Sequence, residues 1–263
     1  MKLDLTGRTA LVTGSNRNTG EVIATSLARS GATVVFHSNE RDGSAAAAAT
    51  TVPEAFSIEG DVATPDGCAS LMEQLKDLDL AVDILVNNYG TASAGKWSST
   101  TSDDWIDMYQ KNVLSVARLV QALVPEMKKQ QWGRVVNLGT IGSHRPGKIM
   151  PHYYASKGAL ANLGVSLMQE LSNTGITVNT VSPGLIHTPD LEAGFRARAA
   201  TKGWGDAWED IIKHVVSEEF PNACGRLATR EEVADLVVFL CSEQAGYING
   251  QNIRVDGGAV VYV

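Results

Sequence analysis

The feature that most restricts the fold is a rhythm of short apolar runs, each followed by a helical pattern. Residues 9–13 (TALVT), 33–36 (TVVF), 84–87 (ILVN), 134–138 (RVVNL) and 177–181 (TVNTV) are rich in Val, Ile, Leu and Thr with little alternation. A strand with one wet face alternates apolar and polar residues, whereas near-continuous apolar runs suit a parallel sheet covered on both faces. Helical periodicity follows over 21–30, 66–78, 103–129, 153–173 and 231–240. Gly31, Gly133 and Gly175 stand where three of these helices must stop before a strand. Such alternation predicts an α/β fold, a doubly wound parallel sheet with helices on both faces. The alanine tract at 45–49 predicts a solvent-facing helix after the second strand. Between 188 and 225 the rhythm breaks: no strand pattern occurs, but Trp204, Trp208 and alternating charges predict short helices. Long excursions in compact domains are usually functional, so 189–225 is expected to be a substrate lid within a single domain spanning 1–263.

Charge and cysteine usage narrow the partners. The 29 acidic residues exceed the 22 Lys and Arg, giving a net charge of −7 and no basic stripe. Nucleic acid and anionic membranes both call for a basic face, so neither is an expected partner. No run of about 18 apolar residues occurs, so no membrane span is expected. Cys68, Cys224 and Cys241 are odd in number and widely spaced, which suits small buried hydrophobes in a reducing compartment. With no charged-then-apolar leader before the first strand, the cytoplasm is the expected location. His37, His144, His152, His187 and His214 show no metal-ligand spacing and are expected in loops or on the surface, and no metal is expected.

After the first strand the chain reads Thr13-Gly14-Ser15-Asn16-Arg17-Asn18-Thr19-Gly20 and enters a helix. Glycines let the backbone turn tightly against a pyrophosphate, and the free N–H groups of the helix start favour an anion. A strand–loop–helix setting in the first βαβ unit gives this weak motif its weight, pointing to a Rossmann-type dinucleotide site. Asn18 stands where a glycine is expected, and Asn tolerates left-handed backbone better than most residues. A carboxylate after the second strand would hold a ribose 2′-hydroxyl and repel a 2′-phosphate. Ser38 is neutral there, while Arg17 and Arg41 are within reach of a phosphate, so NADP(H) is favoured over NAD(H); Glu40 is the counter-argument.

The stretch Tyr153-Tyr154-Ala155-Ser156-Lys157 places a phenol and an ammonium four residues apart on one helix face. A free tyrosine titrates near pH 10, too high for efficient proton exchange at neutral pH, and a fixed cation favours the phenolate. Tyr154 falls on another helix face and is read as packing.

These motifs occur in an order that resembles the short-chain dehydrogenase/reductases, in the single-domain branch that includes the 3-oxoacyl-carrier-protein reductases. The resemblance runs nearly end to end: Thr13-Gly14…Gly20, Asp61-Val62, Asn87-Asn88-Tyr89-Gly90, Asn112, Gly133-Arg134-Val135-Val136-Asn137, Tyr153…Lys157, Asn179…Pro183-Gly184…Thr188 and Val255-Asp256-Gly257-Gly258. It implies that Tyr153 is the general acid in reduction, and that Lys157 holds the nicotinamide ribose and lowers the Tyr153 pKa. It implies that Asn112 distorts its helix and anchors a proton-relay water. Asp61 and Val62 would contact adenine, Asn88 and Gly90 would border the cofactor, and Ile186 and Thr188 would bind the nicotinamide end after the turn at Pro183-Gly184. Two further departures from the family pattern are Thr140, where a serine usually holds the substrate oxygen, and Tyr89, where a small residue is usual. Thr140 offers the same hydroxyl with a stiffer side chain, and Ser143 is the fallback. Tyr89 has two readings, toward the active site or packed under the sheet.

The function so implied is hydride transfer between NADP(H) and a ketone or secondary alcohol. Tyr89, His144, His152, Trp204 and Trp208 are the candidate substrate residues, and the two tryptophans suggest a ring or bulky apolar group. A 3-oxoacyl thioester reductase is one alternative, although residues 188–225 look long for it and carry charges of both signs. A cofactor-sensing protein without chemistry would be expected to lack Tyr153, Lys157 or Asn112. A cofactor-free lyase related to the halohydrin enzymes would lack the glycine loop and carry arginine in place of Lys157. The resemblance also implies a homotetramer, built through the two long helices and the C-terminal strand.

Overall fold

The computed structural model describes residues 3–261; the outermost two residues at each end of the expected domain lie outside the described residues. Seven strands form one parallel sheet: β1 (Thr9–Val12), β2 (Thr33–Ser38), β3 (Phe56–Glu59), β4 (Ile84–Asn87), β5 (Gly133–Leu138), β6 (Ile176–Pro183) and β7 (Asn252–Val255). Their spatial order is β3-β2-β1-β4-β5-β6-β7, so the winding reverses between β1 and β4. The Rossmann-type reading therefore holds. β3 and β7 are additional to the five runs read from the sequence; they are the outer strands, and each is only four residues long.

The helices are α1 (Asn18–Arg29), α2 (Ser44–Ala49), α3 (Pro65–Asp77), α4 (Ser102–Tyr109), α5 (Ser115–Gln130), α6 (Pro151–Glu170), α7 (Pro189–Lys202), α8 (Trp208–His214) and α9 (Arg230–Cys241). Alternate residues of the strands feed two cores. Ala10, Val12, Val34, Phe36, Ile84 and Val86 pack with Ile23 and Leu27 of α1 and Val233 and Val237 of α9. Leu11, Val35, Leu85, Val135 and Val178 pack on the other face with Leu71 of α3, Leu119 and Leu123 of α5 and Leu160 of α6. Burial on both faces is what the continuous apolar runs encode.

Two local expectations need correcting. The alanine tract does form α2, but Ala45, Ala48 and Ala49 are buried against the first core rather than facing solvent. Gly133 does not end a helix: Gln131 takes the left-handed turn at φ 55°, and Gly133 opens β5, where a Cβ would come within about 3 Å of Met127 and Ile176. The 189–225 excursion is helical, as expected, and has its own small core of Phe195, Ala199, Ile211, Val215 and Leu227.

Candidate active site

The C-terminal ends of β1, β4, β5 and β6 open onto one edge of the sheet, the place where doubly wound folds bind ligands. From β1 the chain turns through Gly14 at φ +60° and Asn18 at φ +53° into α1, so the asparagine in the glycine position adopts the left-handed conformation it tolerates. Asn88 donates from Nδ2 to the carbonyls of Thr13 and Gly14, both at 2.9 Å, and Gly20 packs so closely that a Cβ would lie 2.3 Å from the Gly14 oxygen. Arg17, the N-cap of α1, makes no side-chain cap, which leaves the first-turn N–H groups of Asn18, Thr19 and Gly20 open to an anion. The loop residues present thus fit a pyrophosphate.

Beyond β2, Ser38 is buried, and its Oγ accepts from the Glu40 amide at 3.2 Å and hydrogen-bonds the Ser44 hydroxyl at 3.1 Å. Ser44 also accepts from Asn16 at 2.9 Å and donates to Asp42 at 2.5 Å, and those Ser44 bonds hold the Asp42 carboxyl below its ordinary value. Arg17 and Arg41 are both exposed, and one Arg41 nitrogen donates to the Ser70 hydroxyl at 2.8 Å. Asn39 fixes the next corner: its amide donates to Asp61 at 2.6 Å and accepts from the Val62 N–H at 3.0 Å.

Tyr153 and Lys157 lie one turn apart on α6. Burial raises the Tyr153 pKa, while the Thr140 hydroxyl beside it pulls the other way by offering a hydrogen bond. Thr140 accepts the Gly142 N–H at 3.1 Å, which leaves its own proton for the cleft. Ser143, the fallback, donates to the Thr140 carbonyl at 2.7 Å and so is committed locally. Lys157 is buried and donates to the Leu138 carbonyl at 2.7 Å; burial lowers its pKa to about 8. The expected lowering of the tyrosine by the lysine is therefore not what this chain alone produces: desolvation dominates both groups. A buried ammonium with one protein acceptor keeps donors for a ligand's hydroxyls. Gly90 opens that space, since a Cβ there would meet Asn112 Oδ1 at 2.7 Å and Lys157 Nζ at 3.0 Å.

Asn112 sits in a single π-helical turn, Gln110–Leu114, between α4 and α5. The wider turn sends its side chain inward, where it accepts from the Thr91 N–H, donates to the Thr91 carbonyl (both 2.9 Å) and donates to Ser156 Oγ at 3.0 Å. Such turns often mark functional sites.

A cleft of about 720 Å³ opens beside Thr140 and Tyr153. Tyr154, Leu185, Phe220, Arg145, Arg226 and Asp256 line it, together with Gly184 after Pro183. Tyr154, read from the sequence as packing, is thus a cleft residue; its place next to Tyr153 was the available signal. None of the five proposed substrate residues lines this cleft. Tyr89 packs on the second core, where burial pushes its hydroxyl up to about 12. His152 is buried and bonds Ser93 at 2.8 Å, and His144 bonds Asn252 at 3.0 Å. Trp204 stacks on His214 within the 189–225 helices and Trp208 on His187 in the loop just before them, so both tryptophans are engaged in packing that segment. Ile186 forms an isolated bridge with Ala228, and Thr188 caps α7 by accepting the Leu191 N–H at 3.2 Å. Cys224 is exposed rather than buried. Among the described residues no cluster has metal-ligand geometry, and no helix is long and apolar enough to cross a membrane.

Comparison with known proteins places the chain in a family. A family model described as enoyl-(acyl carrier protein) reductase matches residues 14–260. The chain belongs to the short-chain dehydrogenase/reductase family. It is an NAD(P)-dependent oxidoreductase. It is 32% identical to the 3-oxoacyl-[acyl-carrier-protein] reductase FabG of Haemophilus influenzae over 96% of this chain and 98% of that one. The same enzyme of Escherichia coli K12 is 32% identical over 97% and 98%. Among solved structures, L-sorbose reductase from Gluconobacter frateurii, complexed with NADPH and L-sorbose, superposes with a TM-score of 0.92 at 32% identity, covering all of both chains. A 3-oxoacyl reductase from Agrobacterium tumefaciens with NADP bound gives 0.85 at 32% identity, covering 97% of this short-chain dehydrogenase/reductase and 95% of that chain.

Proposed function

We propose that the protein reduces a ketone to a secondary alcohol with NADPH, and runs the reverse reaction with NADP. The observation that carries this is the shared cleft wall: the Thr140 and Tyr153 hydroxyls stand together, with Lys157 one turn behind Tyr153. Both hydroxyls donate to the substrate carbonyl oxygen and polarise it. A phenol whose pKa burial has raised is fully protonated at neutral pH, so Tyr153 has a proton to give to that oxygen. When bound, the nicotinamide supplies the hydride. Lys157 and the space at Gly90 would hold its ribose, the α1 amides its pyrophosphate, Ile186 and Thr188 its carboxamide end, and Asp61 and Val62 its adenine. Asn112 positions the loop at Thr91 and the Ser156 hydroxyl beside the catalytic pair.

The preference for NADP(H) rests on the neutral Ser38 and on the exposed Arg17 and Arg41, the latter with one nitrogen bonded to Ser70 and its other donors left for a phosphate. NADP-bound structural relatives support the same preference. Trp204 and Trp208 do not line the cleft, so they are no argument for a bulky apolar substrate. The second reading, a 3-oxoacyl thioester substrate, is favoured by the FabG relatives. We also propose a homotetramer, supported by exposed Ile106 on α4, Leu114 in the π turn and Val165 on α6; light scattering in solution tests it.

The deciding experiment titrates the purified protein with NADPH and with NADH, following tryptophan quenching. Tight NADPH binding that Arg17→Ala weakens far more than it weakens NADH supports the reading; equal losses refute the 2′-phosphate assignment. A subsequent panel containing acetoacetyl thioesters and keto sugars separates the two substrate readings.

A further inference from the structure

His37 is the penultimate residue of β2, at the cofactor edge of the sheet, and has no solvent exposure, 0%. Both ring nitrogens are engaged with backbone. Nδ1 accepts the Gly14 N–H at 3.0 Å, and Nε2 lies 2.9 Å from the Gly60 carbonyl oxygen. An amide N–H can only donate and a carbonyl can only accept. The pair therefore admits one protonation pattern, a neutral ring with its proton on Nε2.

The histidine backbone is tied to the same loop: its N–H donates to Ser15 Oγ at 2.9 Å, and its carbonyl accepts the Ser15 N–H at 2.9 Å. Gly14 is thus held on both sides, its N–H by the imidazole and its carbonyl by Asn88. Gly60, at the other ring nitrogen, immediately precedes the Asp61-Val62 corner. One buried ring, carried on β2, therefore spans the phosphate loop and the proposed adenine corner.

We propose that His37 is a positioning residue of the dinucleotide site, whose neutral imidazole sets the Gly14 peptide and locks the phosphate loop to the adenine corner. This role rests on the nucleotide-binding reading above. It places no charge beneath the pyrophosphate; its effect is to keep the open amides of α1 aimed in one direction. Burial supports it by holding the His37 pKa at about 4, so the ring stays neutral at physiological pH. A protonated ring would turn Nδ1 into a second donor facing the Gly14 N–H, and the loop would have to move.

The test compares His37→Leu, which removes both links, with His37→Asn, whose amide oxygen can replace Nδ1 as acceptor for Gly14. NADPH affinity is read by fluorescence titration, turnover at saturating cofactor by absorbance, and the wild-type ring tautomer by ¹⁵N NMR. His37→Leu is expected to weaken NADPH about tenfold, the scale of one well-placed hydrogen bond, with kcat little changed and His37→Asn recovering much of the loss. Wild-type spectra should show the proton on Nε2. A proton on Nδ1 overturns the proposal even if His37→Leu does not fold, as does a folded His37→Leu that binds NADPH as tightly as wild type. A wild-type protein that binds neither dinucleotide overturns the nucleotide-binding reading itself, a different outcome from a variant that matches a binding wild type.

Discussion

Replacing Lys157 by Met should make the protein more stable while ending catalysis. Lys157 is buried, and its pKa falls from the ordinary 10.5 to about 8 because burial penalises the ammonium. That difference corresponds to about 3 kcal/mol of destabilisation at neutral pH, where the side chain is charged in both folded and unfolded chains. Removing the ammonium leaves the Leu138 carbonyl without its 2.7 Å donor, a loss of about 1 kcal/mol. The net expectation is a gain of about 2 kcal/mol, or about 4–8 °C in Tm for a chain of this size. The pH dependence fixes the sign independently. Below pH 8 the folded state carries the whole cost. Between pH 8 and 10.5 the folded protein gives up this proton before the unfolded chain does, so the cost is relieved as pH rises. The gap between Lys157→Met and wild type should therefore be widest near neutrality and shrink toward pH 10.5. Urea unfolding across that range, without nucleotide so that binding does not stabilise wild type alone, measures it. A variant no more stable than wild type at neutral pH, or a gap that stays constant with pH, would refute the reasoning.

Tyr153→Phe should abolish turnover while NADPH affinity, read by fluorescence, stays close to wild type; retained activity removes Tyr153 from its role. Thr140→Ala should lower kcat/KM by about 10²-fold, the scale of one lost oxyanion donor, and Thr140→Ser should retain activity. If Ser143→Ala is the damaging change instead, the hydroxyl is misassigned, contrary to its local bond to the Thr140 carbonyl. Gly20→Ala should abolish dinucleotide binding in the same titration, because the new Cβ would sit 2.3 Å from the Gly14 oxygen and 2.4 Å from Asn88 Nδ2, and one of those groups is backbone. Unchanged binding would mean that the loop can spread without cost.

The sequence by itself determined the parts that depend on local periodicity and fixed spacing. Continuous apolar runs specified the inner strands of a parallel sheet, since both faces of each strand are buried. The four-residue spacing of Tyr153 and Lys157 put both on one helix face because a helix repeats every 3.6 residues. Asn18 was legible as a left-handed residue, and its φ of +53° agrees. Tertiary structure decided what depends on neighbours distant in the chain. β3 (FSIE) and β7 (NIRV) mix polar with apolar residues and are only partly buried at the sheet edges, so no apolar run announces them, and pairing with β2 and β6 makes them strands. Trp204 and Trp208, four residues apart, carried a pattern that suits a helix interface or a pocket wall; stacking on His214 and His187 chose the interface. His37 gave no periodic signal and is buried because Gly14 and Gly60, 23 residues away on either side, meet at its ring. Lys157 shows the same division within one residue: spacing placed it, but only burial set its charge cost, because desolvation depends on what the whole fold packs around the ammonium.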